Sequence, residues 1–225
     1  MFRVVIPAIL AVALTACGGG GGSNPSTPPP SYITSVGSTT SQIVPSLVSG
    51  KFDASDSQYV ILSGWDPNSS TPPPVKIFKI NADGTTADAT VAVLGTQLSW
   101  GVQFPIVADF NNDNIDDIFF AGFIDQLGET VPSVAFVSRA GQSHQRIDVA
   151  GLTWSHGVVA SDLNNDGWLD VVNTAGHMWI NNGGAGFTYH ARLDWFHTAD
   201  PITGSGICAG QLDNSGTTYY VVTDI

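Results

Sequence analysis

DFNNDNIDD, from Asp109 to Asp117, and DLNNDGWLD, from Asp162 to Asp170, are two copies of one nine-residue pattern. Each sets acidic or amide oxygens at loop positions 1, 3 and 5 and another carboxylate at position 9. Position 7 can lend its backbone carbonyl. Alternate residues of a tightly turning chain aim such oxygens inward, and a hard cation such as calcium takes six to eight of them at roughly 2.3–2.6 Å. Position 6 needs a left-handed backbone, which Gly167 adopts freely and Asn114 tolerates. The pattern therefore predicts two loops shaped to wrap calcium.

Two weaker copies share the frame. SGKFDASDSQYVIL and AGQLDNSGTTYYVV align with ASDLNNDGWLDVV, so position 1 falls at 51, 109, 162 and 211, a recurrence every 49 to 58 residues. A period of that length marks stacked supersecondary units, propeller blades among them. Lys51, Ser55 and Tyr59 replace the oxygen ligands in the first copy, and Gln211, Ser215 and Tyr219 in the last. Those loops are expected to keep their shape without an ion.

Strands flank the loops. Phe104 to Ala108 and Gly157 to Ala160 precede them; Ile118-Phe119-Phe120, Val171-Val172 and Tyr220-Val221-Val222 follow, in β-branched and aromatic runs. VKIFKINADGTT from Val75 and MWINNGGAGFTY from Met178 read as hairpins with Gly- or Asn-rich tips. If the second is centred between Gly183 and Gly184, His177 and His190 stand opposite each other, with Trp179 and Thr188 on their face. No stretch carries a 3.6-residue apolar period, so little helix is expected. The unit is about four strands with the loop between the first two.

This arrangement, WSHGVVASDLNNDGWLDVV followed by MWINNGGAGFTY, resembles the FG-GAP or VCBS repeats of β-propellers, including the head of integrin α-subunits. The resemblance covers about 40–225; it is strong at 154–190, good at 100–122 and weak at the two ends. It departs from the family at Asn173-Thr174-Ala175, where Gly-Ala-Pro is usual, and at Trp154-Ser155 and Trp100-Gly101, where Phe-Gly is usual. The resemblance implies calcium held by Asp109, Asn111, Asp113, the Ile115 carbonyl and Asp117, and by Asp162, Asn164, Asp166, the Trp168 carbonyl and Asp170. With loops on different blades, Asp166→Ala is expected to weaken its own loop alone. An EF-hand would need a bidentate Glu at position 12, where this chain has Phe120 or Asn173. A dockerin would need closer spacing and helices. The expected fold is all-β, of propeller-type blades, as an incomplete or truncated propeller or an open array whose last copy stops in mid-blade.

The N-terminus reads as a targeting segment. Arg3 is followed by an apolar stretch from Val4 to Leu14, too short to span a bilayer, which takes about 20 apolar residues. Leu14-Thr15-Ala16-Cys17 resembles a bacterial lipobox, which implies lipidation of Cys17. Gly18 lacks the aspartate that favours inner-membrane retention, so the resemblance implies an outer-membrane or cell-surface anchor. Residues 18–30, rich in Gly, Ser and Pro, form a flexible linker. Residues 31–225 are enough for one sizeable core.

The net charge is −12, and a single Glu, Glu129, stands against eighteen Asp. An Asp-only bias places the carboxylates in turns and ligand loops, where a short side chain matters. Strong acidity argues against nucleic acid as a partner. With Cys17 assigned to lipid, Cys208 is left alone in an apolar run and is expected to be a small buried hydrophobe. His156, six residues before Asp162, is placed near a blade edge, in register with Gln103 and Ser205. Asp194-Trp195-Phe196-His197 suits packing between blades better than sugar stacking. No nucleophile elbow, phosphate loop or zinc signature stands out. Three functions remain open: a tethered, calcium-stabilised recognition or scaffold protein for extracellular protein or polysaccharide, a carbohydrate-active propeller enzyme such as a polysaccharide lyase, and a purely structural surface repeat protein.

Overall fold

The computed structural model describes residues 44–55, 57–65, 75–96, 105–124, 130–151, 157–190, 206–212 and 217–223. The chain divides into Met1–Ser31 and Tyr32–Ile225. The first unit lies outside the described residues, and with it Cys17 and the linker. Trp100, Gly101, Gln103, Trp154 to His156, Asp194 to His197 and Ser205 lie outside them as well.

The second unit is all-β, built from antiparallel sheets. In chain order its strands are β1 (Val44–Gly50), β2 (Gln58–Trp65), β3 (Lys76–Ile80), β4 (Thr86–Asp88), β5 (Pro105–Ala108), β6 (Asp117–Phe120), β7 (Phe123–Ile124), β8 (Thr130–Val131), β9 (Ser133–Arg139) and β10 (Gln142–Val149). β11 (Val158–Ser161), β12 (Asp170–Asn173), β13 (Met178–Asn181), β14 (Phe187–His190), β15 (Gly206–Gly210) and β16 (Tyr219–Thr223) follow. Three sheets have four strands each, in the orders β1-β2-β3-β4, β5-β6-β9-β10 and β11-β12-β13-β14. A two-stranded sheet, β15-β16, follows them, and β7 pairs with β8 in an excursion within the second sheet. In each copy of the pattern the nine-residue loop joins the first strand of a sheet to the second.

The first strands of successive sheets are neighbours: β1 touches β5, β5 touches β11, and β11 touches β15. At Gly50 the approach is close, since a Cβ there would stand 2.6 Å from a Val107 methyl. Sheets so arranged bury both faces of the middle one, and the sequence shows why. A two-sided strand reads as an unbroken apolar run rather than an alternation, and IFF at 118–120 is such a run. Successive side chains of a strand point to opposite faces. Ile118, Phe120, Val134 and Phe136 therefore join Ile61, Ile77 and Leu94 in one core, while Phe119, Ala135 and Val137 join Phe110, Val171 and Trp179 in the other. Phe119 packs its ring 5.3 Å from Trp179 and 5.1 Å from Phe187.

Two sequence expectations change. The hairpin after Met178 has a three-residue tip, Gly183 to Ala185, closed by the Asn182 N–H donating to the Gly186 carbonyl at 2.8 Å. That odd length shifts the register by one, and a one-residue slip moves every side chain to the other face. Met178 faces His190 and Trp179 faces Tyr189, so His177 and His190 are not opposite each other. His177 stacks on Tyr189, its Nδ1 2.6 Å from the phenol oxygen. Cys208 is exposed, not buried. It pairs with Val221, itself 45% exposed, on a face that no other described element covers. Helix is scarce among the described residues, as expected: one short helix, α1 (Thr90–Leu94), is entered by the Asp88 carboxylate accepting from the Thr90 N–H at 2.9 Å.

Phe119→Ala leaves a void between two sheets, and losses for buried Phe run to about 3–5 kcal/mol. Urea unfolding should show a loss of that size. A loss below about 1 kcal/mol would mean the middle sheet is not the shared centre of the two cores.

Candidate metal centre

The two acidic loops fold alike, residue for residue. At position 1, the Asp109 carboxylate accepts from the Asp113 and Asn114 amides at 3.1 and 2.8 Å, and Asp162 from Asp166 and Gly167 at 3.1 and 2.9 Å. At position 3, Asn111 and Asn164 accept from the position 5 amide at 3.1 and 3.0 Å. At position 5, Asp113 and Asp166 accept from the Ile115 and Trp168 amides, both at 2.9 Å. These short side chains bend the backbone by bonding it two to five residues on.

Position 6 has the left-handed backbone its residues suggested, with φ 67° at Asn114 and 89° at Gly167. Position 4 has it too, at Asn112 and Asn165, with φ 57° and 60°. Asn tolerates that region through local hydrogen bonding.

Position 9 closes each loop. Asp117 accepts from the Phe110 amide at 2.8 Å and, on its other oxygen, from the Ser138 amide of β9 at 2.7 Å. Asp170 does the same with the Leu163 amide and the Asn181 amide of β13, both at 2.8 Å. Both carboxylates are fully buried. Burial raises the Asp117 pKa to about 6 against those amide bonds, and the charge of Asp113 adds to the rise. Asp170 is raised as well, first by burial and then by the charges of Asp166 and Asp162. Ion pairs among the described residues join Lys76 to Asp88, Lys79 to Asp53 and Arg146 to Asp148, none of them in either loop. Each loop thus concentrates negative charge around buried carboxylate.

No three His, Cys, Asp or Glu side chains converge as a metal-binding group among the described residues. The donor set of each loop is broader than carboxylate alone: three Asp, one Asn amide and the carbonyl of position 7. That oxygen-only chemistry suits calcium rather than a transition metal.

The first, altered loop supplies a direct comparison. Position 3 there is Asp53, and position 9 is Tyr59. The Tyr59 hydroxyl donates to Asp53 at 2.6 Å, and the Lys79 ammonium lies 2.9 Å from the same carboxylate oxygen, over the Tyr59 ring. Burial works to raise the Asp53 pKa, but hydrogen bonds from Ser55, Tyr59 and Lys79 outweigh it and hold the carboxyl well below its ordinary range. A cation of the chain's own therefore neutralises Asp53 in the loop whose acidic positions 1, 5 and 9 are all replaced. Lys79 comes 26 residues after Asp53 on another strand, so no local spacing could reveal it.

The loops are not isolated from one another. The Lys51 amide donates to the Asp116 carboxylate at 2.7 Å, and the Asp116 amide to the Lys51 carbonyl at 2.8 Å. Asn112 donates to the Gly167 carbonyl at 3.3 Å. The Asn181 side chain donates both to the Phe110 carbonyl, at 2.8 Å, and to the Leu169 carbonyl, at 3.0 Å. Gly184, in the adjoining turn, is so close that a Cβ would stand 3.0 Å from Asn111. The two loops lie on different sheets, as the expectation for Asp166→Ala assumes, and the Asn181 side chain bonds one carbonyl of each.

No family model matches the chain, and no curated protein matches it.

Lys79→Met should destabilise the first sheet by about 1 kcal/mol, the scale of a partly exposed ion pair, and less in high salt. The sign with pH follows from the depressed folded pKa of Asp53. Its stabilisation is full above the ordinary carboxylate range and is lost as pH falls below it. Wild type and Lys79→Met should accordingly converge in thermal stability in acid. Equal stability of the two proteins at neutral pH would remove Lys79 from the loop's account.

Proposed function

We propose that this chain is a calcium-stabilised surface recognition or scaffold protein, tethered by lipid at Cys17 and built of FG-GAP or VCBS-like propeller blades. The loops carry the proposal. Two of them share one hydrogen-bonding scheme and crowd carboxylates that enter none of the ion pairs among the described residues, while the related first loop holds Lys79 against Asp53. A divalent cation in the loops at 109–117 and 162–170 would do for them what the ammonium does there.

When bound, calcium supplies positive charge and fixed oxygen coordination. The chain's own residues do the rest. Asp109 and Asp162 turn the loop, Asn111, Asp113, Asn164 and Asp166 present oxygens, and Asp117 and Asp170 tie the loop to its sheet. The closed, structural character of this set supports stabilisation rather than activation of water. Four-stranded meanders whose first strands adjoin support the blade reading, and the lipobox and Gly-rich tether support display at the outer membrane or cell surface. The partner is an extracellular protein or polysaccharide.

Calcium should raise the melting temperature by several degrees at millimolar concentration, given dissociation constants of about 10⁻⁴–10⁻³ M for extracellular modules and stabilisation by mass action. A melting temperature unmoved between calcium and chelator would refute the metal reading. Separately, Cys17→Ala should abolish incorporation of a labelled fatty acid in a bacterial host. Undiminished labelling would refute the anchor.

A further inference from the structure

We propose that the cleft between the end of α1 and strand β10 binds an acidic sugar, a uronate whose carboxylate is taken by Arg139 and Arg146. This rests on the recognition reading only in taking a polysaccharide as partner; no residue of the cation loops lines the cleft.

The cleft has a volume of about 350 Å³, and its polar lining comprises Thr96, Arg139, Ser143, His144, Gln145 and Arg146. Pockets for apolar ligands are walled mainly by hydrophobic and aromatic side chains. This one offers two hydroxyls, an amide, an imidazole and two guanidinium groups, a set matched to a ligand dense in hydroxyls and bearing an anion.

Charge sharpens the choice. The chain has 7 Lys and Arg against 19 Asp and Glu, and two of those few cations line this one cleft. An acidic surface repels anions elsewhere, so a cationic cleft within it is a selective landing place. Guanidinium groups match carboxylate geometry with paired N–H donors.

The local structure holds the donors in place. The β9–β10 register shifts between Gln142 and Gln145, a bulge of the kind that re-aims side chains beside binding sites. His144 follows within the bulge, only 4% exposed, with its Nε2 2.9 Å from the Asp116 carbonyl and the Phe52 ring against its edge. A carbonyl can only accept, so Nε2 donates its proton there, and this bond fixes the ring in place. Arg146 is steered by Asp148, whose Oδ1 accepts from both Nε and Nη2 at 2.8 Å. Arg139 stands at the exposed end of β9 and forms no ion pair among the described residues.

Calorimetric titration of the full chain with trigalacturonate, uncharged galactotriose and inorganic sulfate tests the proposal, in calcium and again in chelator. Wild type should bind trigalacturonate at least tenfold more tightly than galactotriose or sulfate. Arg139→Gln, an exposed substitution that leaves the melting temperature unchanged, should weaken trigalacturonate at least tenfold, and Lys76→Gln on the first sheet should not weaken it. No uronate preference, equal affinity for sulfate, wild-type binding by Arg139→Gln, or equal loss in Lys76→Gln would each overturn it. Uronate binding without any calcium effect on melting would sink the cation reading and leave the cleft standing; the reverse result would sink the cleft alone.

Discussion

A buried aspartate that accepts two amide hydrogens is the contact on which the rest of this fold depends. Asp117 and Asp170 each bind the second amide of their own loop with one oxygen and an amide of the adjacent strand in their sheet with the other. One side chain thereby closes a loop, starts a strand and fixes how that strand meets its neighbour. A buried charge of this kind is tolerated only when its hydrogen bonds are satisfied and its charge is balanced. Amides provide the first condition. The second calls for a cation, which the proposed calcium among the surrounding Asp and Asn oxygens would supply.

The first loop meets both conditions with other chemistry. Tyr59 replaces the buried acid, so the position no longer carries charge, and its hydroxyl reaches Asp53, which Lys79 neutralises. The loop keeps its place between β1 and β2 while its cation comes from the chain. Across the sheets, backbone and side-chain bonds then join loop to loop, from Lys51 to Asp116 and from Phe110 through Asn181 to Leu169. A single edge of the stack therefore carries a continuous polar seam over two apolar cores.

Much of this was legible from residue types at fixed spacing. Asp and Asn at alternate positions, with Gly167 or Asn114 at the sixth, dictate the loop, and the loop dictates where the sheet begins. The unbroken IFF run told of a strand buried on both faces. What stayed hidden depended on partners distant in sequence. Lys79 and Asn181 act across strands, and nothing near them marks their role. The turn segment after Met178 holds three glycines, Gly183, Gly184 and Gly186, any of which can turn, so composition left the length of the tip open and the His177–His190 pairing failed with it. Cys208 sits in an apolar run, yet it falls on the exposed face of a two-stranded sheet, a matter of what packs nearby rather than of local pattern.

The central claim is that two loops take a hard cation while the first supplies its own. Equilibrium dialysis of the purified chain against radioactive calcium counts those ions directly. Two calcium ions per chain, falling when Asp109 or Asp162 is replaced by Ala, is the result the account predicts. No bound calcium, or a third ion lost on substitution of Asp53, would contradict it.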